Sequence, residues 1–176
     1  MDFKYIYIMT FEINPEYIRQ LPTQTQISIP PDKIPVLKEY ILEGIRVQSG
    51  WCSEDGYVIK TSDIVVQHPM KIQHGTGCLL VQVSHTRHLF LPKLGMHLRC
   101  TIIDIFDEGI FLTYFKLKLL VARRDIPTAT IRGHTVKFGD KVYTIGSHIP
   151  ACITKIRYTG NEYQCLCTID ADRDVL

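Results

Sequence analysis

The pattern of apolar and polar positions changes character along the chain. Tyr5-Ile6-Tyr7-Ile8-Met9-Thr10-Phe11-Glu12-Ile13 is β-branched and aromatic, which predicts a strand, and Asn14-Pro15 ends it. Gln20 to Ser28 is polar and reads as a loop, closed by Pro30-Pro31. Ile34, Leu37, Ile41, Leu42 and Ile45 then recur at helical spacing, with Lys33, Lys38, Glu39 and Glu43 among them. One amphipathic helix is therefore expected from about Asp32 to Val47, ending near Gly50; proline suits its first turn, where no backbone N–H is needed.

After Gly50 the pattern is that of short strands. Trp51–Cys52 and Tyr57–Lys60 flank the turn residues Glu54-Asp55-Gly56. Ile64–Gln67 and Cys78–Val83 are two further strands, with Gln73 to Gly77 between them. The first half thus reads β-α-β-β-β. A boundary is expected in Phe90-Leu91-Pro92-Lys93-Leu94-Gly95, giving domains 1–92 and 93–176. Beyond it lie five candidate strands: Met96–Ile105, Gly109–Phe115, Leu117–Ala122, Ile149–Tyr158 and Tyr163–Ile169. Tight turns join the first three, and a long excursion from Pro127 to Ile145 precedes the last pair. Five short strands so spaced fit a five-stranded antiparallel OB-fold barrel. The fold class is α+β, mostly β.

Composition adds limits. The 176 residues are 45% hydrophobic and 22% charged, which is globular usage. No apolar run approaches the roughly 18 residues of a membrane span, and Met1-Asp2-Phe3-Lys4 does not open like a signal peptide, so an intracellular protein without a membrane partner is expected. The six cysteines lack C-x-x-C spacing and read as reduced, mostly buried thiols; Cys165-x-Cys167 is a weak metal signal. His85 and His88 fall on opposite faces of a strand, which argues against a shared metal. Gly75-Thr76-Gly77 is a turn, and no P-loop, G-x-S-x-G or H-E-x-x-H occurs. Neither catalysis nor a cofactor is expected.

Charge is distributed unevenly. Residues 1–93 carry nine basic and nine acidic side chains, and the remainder carries eleven and nine. Between Lys116 and Lys137 there are six basic residues and one acid, Asp125. Cations facing one way can neutralise phosphates, and OB folds add aromatics on which bases stack. In the first barrel strand Leu98, Cys100 and Ile102 should face the core, leaving His97, Arg99 and Thr101 outward. Arg99, Phe111, Lys118, Arg123 and Arg124 are the candidate RNA contacts; the plainer alternative is a core Phe111 and ordinary solvated cations. A neutral first half suits protein docking. Trp51, Glu54, Asp55 and Gly56 are its candidate contacts, along with the segment from Asp63 to Lys71, although for Trp51 by itself burial under the helix is the expectation that comes first.

The order of several short motifs is similar to a known family. Ser49-Gly50-Trp51-Cys52 follows the helix, then Gly56-Tyr57-Val58-Ile59, Phe90-x-Pro92-x-x-Gly95, Gly109-Ile110-Phe111, and Leu120-Val121-Ala122-Arg123-Arg124-Asp125-Ile126-Pro127. Together they resemble the seventh-subunit, or stalk, family of multisubunit DNA-directed RNA polymerases, which includes the E-prime protein of archaeal polymerases. The resemblance runs from about Tyr5 to Asp170. Relatives commonly have glycine-proline where this chain has Tyr114-Phe115-Lys116, and a basic-glycine-acidic step where it has Leu94-Gly95-Met96. Those departures mark a divergent member, of the kind a large DNA virus could encode. The resemblance implies a tip domain docked beside the clamp on the largest polymerase subunits, and an OB domain facing nascent single-stranded RNA. It further implies a small helical fourth-subunit partner. The location would be nuclear in a eukaryote, and cytoplasmic or in the virion for an archaeal or viral protein. A free-standing RNA-binding OB protein of translation or RNA processing is the alternative, and a Cys/His hydrolase built on Cys52 is a third reading.

Overall fold

The computed structural model describes residues 2–3, 13–48 and 50–169, the first two by backbone alone. The strand expected from Tyr5 lies outside the described residues except for Ile13, as do Ser49 and the acidic end from Asp170 to Asp174, expected to cap the last strand. The chain divides into two compact units, Met1–Leu91 and Pro92–Leu176. Both are mostly β.

The first unit contains β1 (Asp2–Phe3), β2 (Ile18–Ile29), α1 (Leu37–Arg46), β3 (Cys52–Ser53), β4 (Gly56–Val66), β5 (Lys71–Ile72) and β6 (Leu79–Phe90). The sheet runs β1-β4-β6-β2, with β3 on β4 and β5 on β6. Its β2 corrects the loop expected from Gln20 to Ser28. Leu21, Thr23, Thr25, Ile27 and Ile29 alternate with exposed polar residues over a 12-residue strand. Two of the sheltered positions, Thr23 and Thr25, carry hydroxyls, so the period-2 signal was diluted. Pro22 also reads as a breaker, yet β2 pairs only with β6 among the described residues, and an edge strand tolerates proline.

The helix begins later than its apolar spacing predicts. Pro31–Val36 is a 3-10 helix with Pro35 inside it, and α-helical bonding starts at Leu37. Proline supplies no N–H for an i→i−4 bond, so the first turns wind more tightly. Ile41 and Ile45 on α1 are buried against Ile29, Ile64, Val66, Val81 and Val83 of the sheet. The two strands expected at Tyr57–Lys60 and Ile64–Gln67 are one, β4, with irregular pairing between Val58 and Lys60 and again between Ser62 and Val65. Gly56 opens it at φ +120°, and a Cβ there would stand 2.5 Å from the Phe90 carbonyl oxygen. That close approach admits only glycine.

The second unit contains β7 (His97–Phe106), β8 (Gly109–Tyr114), β9 (Leu117–Ala122), β10 (Thr130–Arg132), β11 (Thr135–Phe138), β12 (Lys141–Thr144), β13 (His148–Thr159) and β14 (Glu162–Ile169). Strands β13-β14-β9-β8-β7 form a closed barrel, β7 pairing back on β13. The five strands match the five expected ones to within one or two residues. The all-antiparallel expectation is corrected: β14 pairs with β9 in parallel. Directions cannot alternate around a closed ring of five, so at least one pair must be parallel. The excursion after Ala122 is not bare loop; β10, β11 and β12 form a three-stranded meander. Leu98, Cys100, Ile102, Ile110, Leu112, Leu117, Leu119 and Val121 are buried, and these alternate residues fill the barrel.

Candidate nucleic-acid interface

Residues paired across neighbouring strands share a face. Register therefore maps the outer surface of the barrel as rows. One row runs Thr101, Thr113, Lys118, Gln164, Arg157 across β7, β8, β9, β14 and β13. The next runs Asp104, Phe111, Leu120, Leu166, Lys155. Leu120 and Leu166 are half-buried between these neighbours, while Lys118, Lys155, Arg157 and Gln164 are exposed.

Arg99 lies on β7 opposite Pro150 and points outward, as the alternation required. Phe111 is 38% exposed, and its ring meets Phe106 edge-on at 5.0 Å between centroids. That contact restrains the ring, which stays partly open to solvent. Lys118 Nζ reaches Glu162 at 3.1 Å, with both side chains largely exposed. An exposed pair of this kind contributes about 0.2–1 kcal/mol, so a phosphate can displace the carboxylate.

Arg123 and Arg124 stand apart from this surface. They form a 3-10 turn after β9, and the Arg123 backbone N–H donates to the Glu108 carbonyl in the β7–β8 turn. Arg124 Nε is 3.8 Å from Asp125. Asp107, Glu108 and Asp125 thus share the end of the barrel that carries the two arginines. The five candidate RNA residues fall into two groups: Arg99, Phe111 and Lys118 project from β7, β8 and β9, and the arginine pair sits among acids.

Lys155 and Arg157 were missed from the sequence alone. A register shift between Ile153 and Lys155 sets Thr154 out of the ladder and turns Lys155 and Arg157 outward. Without that shift the alternation from buried Ala151 and Ile153 would point both inward. The signal was present, because a cation cannot be buried unpaired at low cost.

Three barrel thiols are buried: Cys100, Cys165 and Cys167. Burial pushes Cys100 up to about 12 and Cys165 up to about 11, and Cys167 rises as well. They are protonated core groups. Cys52, Cys78 and Cys152 are half-buried, and none of the six is in a disulfide. Among the described residues no three His, Cys, Asp or Glu side chains form a metal-binding group. No helix there is long and apolar enough to cross a membrane.

In the first unit, Trp51 is 58% exposed, which corrects the reading that buries it under the helix. Cys52 and Ser53 pair with Tyr57 and Gly56, so Glu54 and Asp55 protrude at the hairpin tip, where both are exposed. Gly56 is buried; its place is fixed by the Phe90 backbone, not by an outside partner. A cleft of about 600 Å³ opens beside the start of α1, floored by Leu37, Ile41, Val66 and Met70 and rimmed by Lys38, Glu39 and His68. His85 is 2% exposed on the face of β6 that carries Val81 and Val83, and its ring nitrogens have no hydrogen-bond partner among the described residues. Burial, and then the Arg87 charge, lower its pKa. His88, on the opposite face, is 2.9 Å from the Ser62 hydroxyl, and burial lowers its pKa too.

No protein-family model matches the chain, and no curated protein matches it.

Proposed function

We propose that this protein is a non-catalytic stalk subunit of a DNA-directed RNA polymerase. In this reading the first unit is the tip that docks on the largest subunits beside the clamp. The second unit is an OB domain that contacts nascent single-stranded RNA during transcription. The observation that carries it is the barrel: five strands in the ring order β7-β8-β9-β14-β13, with β14 parallel to β9. OB domains bind oligonucleotides on such a barrel, chiefly on the face of their second and third strands. Those strands are β8 and β9 here, and they carry Phe111 and Lys118. A restrained aromatic beside mobile cations binds single strands with little sequence preference.

Docking of the tip rests on its exposed groups. Trp51, Glu54 and Asp55 project together at one hairpin, and an exposed tryptophan is a common anchor of protein interfaces. The cleft beside α1 has room for an apolar side chain of a helical fourth-subunit partner.

The test is recovery of the tagged full-length chain from its native source, with mass spectrometry of what accompanies it. The two largest polymerase subunits in stoichiometric amount support the proposal. RNA alone, without those subunits, would instead support a free-standing RNA-binding protein of translation or RNA processing.

A further inference from the structure

We infer that the single strand crosses the barrel along a cationic track on β9, β14 and β13, held by Lys118, Gln164, Arg157 and Lys155, and does not run towards Arg123 and Arg124. The inference rests on the RNA-binding reading and says where on the barrel the backbone lies.

Charge decides between the two directions. In the row through Phe111, the β7 end carries Asp104 and the β13 end carries Lys155. In the neighbouring row, Lys118 and Arg157 flank Gln164, two strand spacings or about 10 Å apart at the backbone. Three cations therefore stand on this side, and the acid that meets them is Glu162, bound to Lys118 in an exposed pair. At the other end, Asp107, Glu108 and Asp125 oppose Arg123 and Arg124. Arg124 meets Asp125 in a surface pair no stronger than that of Lys118, so it is the three acids around two arginines that set this end apart, and Arg123 is half-buried with its Nη1 atom sheltered from solvent. A polyanion is drawn to the first region and gains little at the second.

The surface between the cations also fits. Leu120 and Leu166 lie between Phe111 and Lys155, so a base stacked on Phe111 continues onto an apolar strip. The cations along that strip can then take the phosphates. Gln164 is the one amide on the track, and it can donate to a phosphate or a sugar hydroxyl. Three of the four side chains are exposed cations suited to phosphates, so the track binds the backbone of a single-stranded polynucleotide.

The test uses the full chain, oligo(U) and oligo(dT) probes, and binding constants over a salt series. Single strands give a slope of about −0.7 per neutralised phosphate in log K against log salt. Lys155→Ala with Arg157→Ala should make the slope shallower by about 1.4, and Arg123→Ala with Arg124→Ala should leave it unchanged. Lys155, Arg157 and Arg124 are exposed and Arg123 is half-buried, and unchanged thermal unfolding confirms that the variants fold. The expected change with oligo(U) assigns the track to RNA; with oligo(dT) alone it keeps the track and overturns the RNA reading. A shallower slope from the arginine pair, with none from Lys155 and Arg157, overturns the track and leaves the RNA reading standing. Absence of salt-dependent binding by the unaltered protein overturns both. Lost binding of a poly-glutamate peptide, with both oligonucleotides unaffected, would assign the surface to an acidic protein partner and overturn the track.

Discussion

Both units are built on long strands, but their sheets end differently. In the first, β2 runs 12 residues with a neighbour on one side among the described residues, and no charged residue interrupts it from Gln20 to Ile29. In the second, β7 closes on β13, so the barrel has no edge, and the open edges among the described residues are the short strands β10 and β12 of the meander. An open edge offers backbone N–H and C=O groups to another polypeptide. A closed barrel uses those groups internally, so its partners must be met by side chains on the outer face. On this barrel those side chains are cations, an aromatic and two half-buried leucines. The difference supports a division of labour, with protein contacts in the first unit and polynucleotide contacts in the second.

The strongest way to break that comparison is to destroy one unit alone. Gly56→Ala forces a Cβ onto the Phe90 carbonyl at a backbone angle that side chains rarely adopt. A cost of about 3 kcal/mol or more is expected, of which about 1–3 kcal/mol is backbone strain. Amide exchange should quicken in β4 and β6 and stay slow in β8 and β9; uniform quickening would show that the units do not fold separately. Leu112→Ala empties a fully buried site in the barrel and should cost about 2–5 kcal/mol, with the opposite exchange pattern.

Removing the aromatic sharpens the comparison at smaller scale. Phe111→Ala should cost about 1–3 kcal/mol of single-strand affinity, the usual worth of one stacked base. An unchanged affinity would return Phe111 to a purely structural contact with Phe106. Glu162→Gln should act in the other direction, strengthening binding a few-fold at low salt by releasing Lys118.

Acid should touch the first unit first. The His85 pKa is lowered by burial, so the folded state holds the ring neutral while the unfolded chain protonates it near 6.5. The unfolded state binds more protons in that range, and stability rises with pH through it. The contribution is full above about pH 6.5 and is lost as pH falls towards the lower folded-state value. Exchange in β6 followed from pH 7.5 to 5.5 should show the loss, and His85→Leu should reduce the pH dependence to the part that His88 contributes. The smallest effect is chemical. In the native protein a thiol reagent should modify Cys52, Cys78 and Cys152 readily, and Cys100, Cys165 and Cys167 only on unfolding. Rapid reaction at Cys100 would contradict the packed barrel interior.

The two units also differed in how much could be read from the chain. Barrel strands were legible because Leu98, Cys100 and Ile102 alternate cleanly and Asp107-Glu108-Gly109 and Gly160-Asn161 are strong turn signals. The odd strand number required a parallel pair somewhere, which the antiparallel reading overlooked, and the fold was needed to show that it is β9–β14. In the first unit β2 was hidden, because its sheltered residues include Thr23 and Thr25, whose methyl groups pack while their hydroxyls read as polar. The interface was half legible. Arg99, Phe111 and Lys118 do project outward, but Lys155 and Arg157 depended on a one-residue irregularity at Thr154. Of the acids around Arg123 and Arg124, Asp125 was plain in the sequence, but Asp107 and Glu108 come from an earlier turn and needed the fold to bring them there.

The division of labour has one direct test. Two variants of the tagged full chain, Glu54→Lys with Asp55→Lys and Lys155→Ala with Arg157→Ala, are each measured for recovery of the largest polymerase subunits and for oligo(U) affinity. The account predicts that the first variant loses the subunits and keeps the affinity, and that the second keeps the subunits and loses the affinity. Loss of both properties in either variant, or of neither in both, would contradict it.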